Sequence, residues 1–128
     1  MTQWVAMKNW LFVAAILGGL AVLFGAFAAH GLSDRLSPDA RGIFETGARY
    51  HMYHALAIGL AAFAMRGDAM GRARLAAMFF AGGILLFSGS LYVLALTGNV
   101  AFGYITPIGG LAFLAGWGFL AGAALALS

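Results

Sequence analysis

The stretch Tyr50-His-Met-Tyr-His-Ala-Leu-Ala-Ile-Gly-Leu-Ala-Ala-Phe-Ala-Met65 decides how many times this chain crosses a membrane. It is apolar in its second half but shorter than the roughly 20 residues a helix needs to cross the hydrocarbon core. The sequence upstream supplies what is missing. Ser37-Pro38 has the form of an N-cap followed by proline at the first helical position, where the absent N–H costs nothing. From there Ile43, Phe44, Gly47, Ala48 and His51 follow three-and-four spacing, which lays one face of the extension against a bundle and leaves Arg41 and Glu45 in polar surroundings. The pattern predicts a single long helix over residues 38–65 that begins outside the hydrocarbon.

Plainer apolar runs flank it. Trp10 to Ala29 contains no charged side chain and is entered through Trp4, Lys8 and Trp10, which are interfacial anchors. Helices are expected over residues 9–29, 75–96 and 105–127 as well, the last two separated by the turn Thr97-Gly98-Asn99. Thr106-Pro107 opens the last run as cap and first helical residue. Short connections make neighbours antiparallel. The fold expected for residues 1–128 is therefore one all-α domain, an integral membrane four-helix antiparallel bundle. Composition agrees: the chain is 63% hydrophobic and 9% charged, with mean hydropathy +0.94, whereas a soluble domain is roughly a quarter charged. Absence of cysteine removes disulfides, thiolate metal sites and thiol nucleophiles together. The formal charge of +3 does not point to nucleic acid, because the arginines sit at the ends of apolar runs and not along one polar face.

Those arginines speak to topology. Arg66, Arg72 and Arg74 face a single Asp68 in one connection, and Lys8 lies near the amino terminus. The first connection balances Arg35, Arg41 and Arg49 against Asp34, Asp39 and Glu45, and residues 97–104 carry no charge. Positive charge favours the cytoplasm, so both termini are expected there. Ala26-Phe27-Ala28 resembles a signal-peptidase site, but the apolar stretch before it exceeds the roughly 7–15 residues of a signal peptide, so an uncleaved first helix is expected.

Small residues recur where helices would touch: Gly25 on the first run, Gly59 on the second, Gly118 and Gly122 on the last. Ser88-Gly89-Ser90 is read the same way, as close packing with the hydroxyls bonded back to helix carbonyls; neither the Gly-x-Ser-x-Gly pattern nor a local base accompanies it.

Nearly all groups capable of chemistry lie between His30 and His54. Helical spacing stacks Glu45 with Arg49, Arg49 with Tyr53, Tyr50 with His54 and His51 with His54. The result is a polar ridge at the outer membrane edge, within reach of His30, with a Glu45–Arg49 ion pair in the favourable order. His30, Glu45, Arg49, Tyr50, His51, Tyr53 and His54 are thus the candidate ligand- or lipid-binding residues. Paired imidazoles suit haem, and histidine with tyrosine and arginine suits a quinone, a lipid phosphate or a proton relay. Histidine and tyrosine are also ordinary interfacial residues, and a closed zinc site needs about four ligands. No catalytic residue, metal or cofactor is assigned.

The phrases Gly25-Ala-Phe-Ala-Ala-His30-Gly31-Leu32, Arg49-Tyr-His-Met-Tyr-His54-Ala55-Leu56, Phe87-Ser-Gly-Ser-Leu-Tyr92 with Leu96-Thr-Gly98, and Ile105-Thr-Pro-Ile-Gly-Gly110 together resemble the YgdD/YwdK-type family of small bacterial membrane proteins, a family of unknown function with animal transmembrane relatives. The resemblance covers nearly the whole chain. It implies a compact multi-pass protein of the bacterial inner membrane and brings no reaction or ligand. The expected role is non-enzymatic: an accessory subunit, assembly factor or lipid-contact protein whose partners are membrane lipids, a larger complex or further copies of itself. A haem- or quinone-associated redox protein and a small transporter are the alternatives, the latter opposed by the lack of acidic groups in the apolar runs.

Overall fold

The computed structural model describes residues 2–128. Four long helices, α1 (Gln3–His30), α2 (Pro38–Phe63), α3 (Gly67–Thr97) and α4 (Val100–Ala126), account for the fold, and no strand occurs among the described residues. Two of them are composite. In α3, a 3-10 turn precedes the α-helix Met70–Gly83, a π-helical turn occupies Ile84–Ser88, and the α-helix resumes over Gly89–Thr97. In α4, a 3-10 segment Val100–Tyr104 leads into the α-helix Thr106–Ala126.

Local chemistry accounts for most boundaries. Ser37 caps α2 as expected, its Oγ accepting the Ala40 N–H at 3.1 Å, with Pro38 in the first turn. Gly98, at φ +71°, ends α3, a left-handed conformation that glycine adopts freely. Two helices start earlier than their apolar runs. Thr2 accepts the Val5 N–H at 3.3 Å and so begins α1 at Gln3 instead of residue 9. The basic stretch after Gly67 is helical instead of a loop up to residue 75, because a helix need not stop where the hydrocarbon does. Thr106 does not cap α4: its hydroxyl is drawn to Ser90 on α3, 2.6 Å away.

Three of the four helices are long and apolar enough to cross a membrane by themselves; α2, with its histidines, tyrosines and two arginines, is the exception. Packing carries it across. Gly59 faces Ala14, Gly18 faces Ala55, and Phe24 meets both Phe44 and His51, so α2 runs antiparallel along α1 through the same slab. At one end of the bundle the Gln3 amide oxygen accepts the Gly67 N–H at 3.4 Å, and Arg72 reaches the Gly122 carbonyl at 3.5 Å. The start of α1, the connection from α2 to α3 and the end of α4 therefore share that end.

The core has two parts of different chemistry. Towards the shared end, Ala57, Ile58, Ala61, Ala73, Ala76, Ala77 and Ala123 pack with Phe80 and Phe113. At the other end, Ala28, Leu32, Phe44 and Ala95 pack with Phe24 and Tyr92. Between them α3 and α4 touch backbone to backbone: a Cβ on Gly109 would lie 2.7 Å from the Phe87 Cα, within the π-helical turn. Of the small residues expected at contacts, Gly59 meets Ala14 and Gly122 meets the Arg72 side chain, and Gly89 lies beside the Ile84 carbonyl, whereas Gly25 and Gly118 face open space.

Candidate functional site

The ridge expected on α2 is divided between two faces of the helix. His51 and His54 are buried; Arg49, Tyr50 and Tyr53 are exposed. At 3.6 residues per turn, positions 51 and 54 share the side that meets α3 and α4, position 50 lies at its margin, and 49 and 53 fall away from it.

His54 is held on every side. Its Nδ1–H donates to the Tyr50 carbonyl at 2.8 Å, and the Trp117 Nε1–H donates to its Nε2 at 3.1 Å. A carbonyl only accepts and an indole N–H only donates, so these two bonds fix the neutral imidazole in one tautomer and occupy its lone pair. The ring lies flat on Phe113, with centroids 3.5 Å apart and planes 6° apart, and Phe80 stands beside it. The Nε2 that a metal or haem iron would need is already spent.

His51 is different. Its Nδ1 shares a 2.8 Å hydrogen bond with the Tyr92 hydroxyl, and Phe24 and Tyr92 flank the ring. Its Nε2 is buried and has no hydrogen-bond partner; neither has the Oγ of Ser88 on the π-helical turn. Ser90, in contrast, bonds back to the Phe87 carbonyl at 2.9 Å and across to Thr106.

Of the other expected members only Tyr50 joins these histidines, its ring stacked on His54 as the spacing predicted, with centroids 6.2 Å apart. Glu45 pairs with Arg41, at 3.8 Å, and not with Arg49; the residue four positions upstream on the half-exposed first turns of α2 competes successfully for the carboxylate. Arg49 takes part in no ion pair among the described residues. His30 is exposed at the end of α1, where its carbonyl accepts the Ser33 hydroxyl at 3.0 Å. The Tyr50 ring also lies tilted against Phe87 of α3, centroids 4.9 Å apart, and Tyr53 stands edge-on to Tyr50, so that Tyr53 and Arg49 form an exposed rim outside the bundle. No group of three metal-ligating side chains gathers among the described residues.

Polar groups stop at His54. Beyond it the buried face of α2 is Ala55, Ala57, Ile58, Ala61 and Ala62, and Glu45 lies far from that stretch on the helix's first turns. A chain of titratable groups across the bundle, which an ion-coupled carrier requires, is therefore missing from this helix. Sequence reasoning found the two histidines and the Tyr50–His54 pair but not the partners on other helices. Trp117 and Phe113 come from a helix more than fifty residues away, and Tyr92 stood only in a phrase that carried the family resemblance. The only available signal was that buried imidazoles in lipid need partners.

Comparison with known proteins adds the following. A family model described as "Protein of unknown function (DUF423)" matches residues 24–110, which include His51, His54, Tyr92 and Gly109 and end before Phe113 and Trp117. The chain is 43% identical over 112 residues to the UPF0382 membrane protein YwdK of Bacillus subtilis (strain 168), covering 87% of this chain and 91% of the relative. It is 44% identical to a UPF0382 membrane protein of Haemophilus influenzae, over 87% of this chain and 90% of that one. The UPF0382 inner membrane protein YgdD of Escherichia coli (strain K12) is 42% identical, over 86% and 84%. No solved structure matches.

Proposed function

Because the chain belongs to the family described as Protein of unknown function (DUF423), whose relatives are named only as membrane proteins, we propose a role from the division of the α2 ridge: this is a non-enzymatic, multi-pass protein of the bacterial inner membrane that serves as an accessory or assembly partner of a larger membrane complex. The observation that carries this is that each imidazole ties α2 to another helix, His51 through Tyr92 and His54 through Trp117, while Arg49 and Tyr53 stand outside the bundle with Tyr50 at its margin. An exposed arginine beside two tyrosines suits contact with a partner at the membrane edge, where arginine and aromatic residues supply most contact energy. Both termini lie in the cytoplasm in this proposal, because Lys8, Arg66, Arg72 and Arg74 gather at the shared end.

Mass spectrometry of the protein released in native lipid tests the role. Arg49→Ala combined with Tyr53→Ala should strip an accompanying subunit without lowering the unfolding temperature. A Soret band in the wild-type protein, or a proton flux in vesicles abolished by Glu45→Gln, would replace this proposal with the redox or transport alternative. Orientation is tested separately, since the chain has no cysteine of its own. Asp34→Cys should react with a membrane-impermeant thiol reagent on intact cells, and Asp68→Cys only after lysis; the reverse pattern places the termini outside.

A further inference from the structure

The shared end of the bundle, opposite the rim just described, carries a cleft of its own. Its volume is about 280 Å³ and it is lined by Gln3, Trp4 and Met7 of α1 and by Phe63, Met65 and Arg66 where α2 gives way to α3. The wall is apolar and the mouth is polar. Trp4 and Phe63 are both more than half exposed, and Leu60 and Leu56 continue the apolar surface along α2 toward the middle of the membrane. At the mouth, Arg66 sits in extended backbone between two helices, its N–H bonded to the Ala64 carbonyl and its own carbonyl accepting the Ala69 N–H. The backbone is thereby fixed while the guanidinium is exposed and takes part in no ion pair among the described residues. The Gln3 amide oxygen is occupied by the Gly67 N–H, which leaves the Gln3 amide hydrogens for another acceptor. At this end of the bundle Lys8, Arg66, Arg72 and Arg74 outnumber one carboxylate, Asp68.

We propose that this cleft binds a single anionic phospholipid, its phosphate at Arg66 and Gln3 and one acyl chain against Trp4, Met7 and Phe63. Charge complementarity selects the occupant. A guanidinium without a carboxylate pairs with a phosphate by charge-assisted hydrogen bonds, and a cleft lined by no carboxylate offers no counter-charge to a headgroup that carries its own ammonium. The apolar wall is continuous with lipid, so the chain below the headgroup never leaves an apolar medium. The inference does not depend on an accessory role, since it concerns the opposite end of the molecule.

Trp4 in the wall provides the probe. The full-length protein is reconstituted into phosphatidylcholine vesicles containing a rising fraction of brominated phosphatidylglycerol, and the Trp4 signal is the difference between wild type and Trp4→Phe. Quenching of Trp4 should saturate at a mole fraction well below that of the bulk lipid. Brominated phosphatidylcholine should quench it only in proportion to its abundance. Arg66→Gln should weaken the preference for phosphatidylglycerol roughly fivefold, the effect of one basic residue near a membrane surface, whereas Arg74→Gln, outside the cleft, should leave it unchanged. An unfolding temperature equal to wild type shows that Arg66→Gln is folded; if it is not, Gln3→Ala is used and should weaken the preference in the same sense. Quenching that follows bulk composition, equal quenching by both brominated lipids, or a preference insensitive to Arg66 in a folded protein would overturn the proposal.

Discussion

The two halves of α2 reach the same tight packing by opposite means. From Phe44 to His54 the buried face is built of rings and hydrogen bonds: His51 to Tyr92, and His54 between Tyr50 and Trp117. From Ala55 onward it is built of almost nothing, with Ala57 and Ala61 in one cluster with Ala73, Ala76 and Ala77, all without accessible surface. In lipid there is no gain from removing apolar surface from water, so helices adhere by dispersion at short range and by polar bonds that have no competitor. Alanine supplies the first by letting backbones approach. Histidine and tryptophan supply the second, at the cost that every donor and acceptor must be matched. The alanine half is thus intolerant of added volume and the polar half intolerant of lost partners.

Breaking the alanine half should have the largest effect. Ala77→Leu forces three further carbons into a site with no free surface, and should lower stability by ~3 kcal/mol, read from unfolding in bicelles. Next comes the polar half. Tyr92→Phe keeps the ring against Phe24 and Phe44 but removes the hydroxyl from His51, and should cost about 1 kcal/mol, the scale of one hydrogen bond between membrane helices. A loss as large as that of Ala77→Leu would mean that this bond, and not small-residue packing, dominates the bundle. The smallest effect, of opposite sign, is expected at Ser88. Its hydroxyl is buried without a partner, so Ser88→Ala should raise stability by about 0.5 kcal/mol in the same assay. A loss on Ser88→Ala would show that the hydroxyl has a role in the folded protein that the polar half needs.

Much of this molecule was legible in its sequence wherever the cause is local. The Ser37 cap, the proline after it, the glycine that ends α3 and the antiparallel order of the helices each follow from a few adjacent residues. The site was legible as a list and not as an arrangement. Spacing alone paired Glu45 with Arg49, although Arg41 stands at the same distance on the other side and takes the carboxylate. Thr106 matched a capping pattern but gave its hydroxyl to Ser90. The π-helical turn has no sequence signature and follows from Phe87 lodging against Gly109 on another helix.

By itself the sequence determined that the chain is a membrane protein, how many helices it has and roughly where each begins and ends, because hydrophobic length and capping chemistry are properties of single segments. Only the tertiary structure decided which way each residue of the α2 ridge points. In water an apolar face tells a helix which side is inside. In lipid the exterior is as apolar as the core, so hydrophobicity cannot distinguish the two. What turns His51 and His54 inward is the presence, on α3 and α4, of the Tyr92 hydroxyl and the Trp117 N–H, each of which bonds one ring nitrogen.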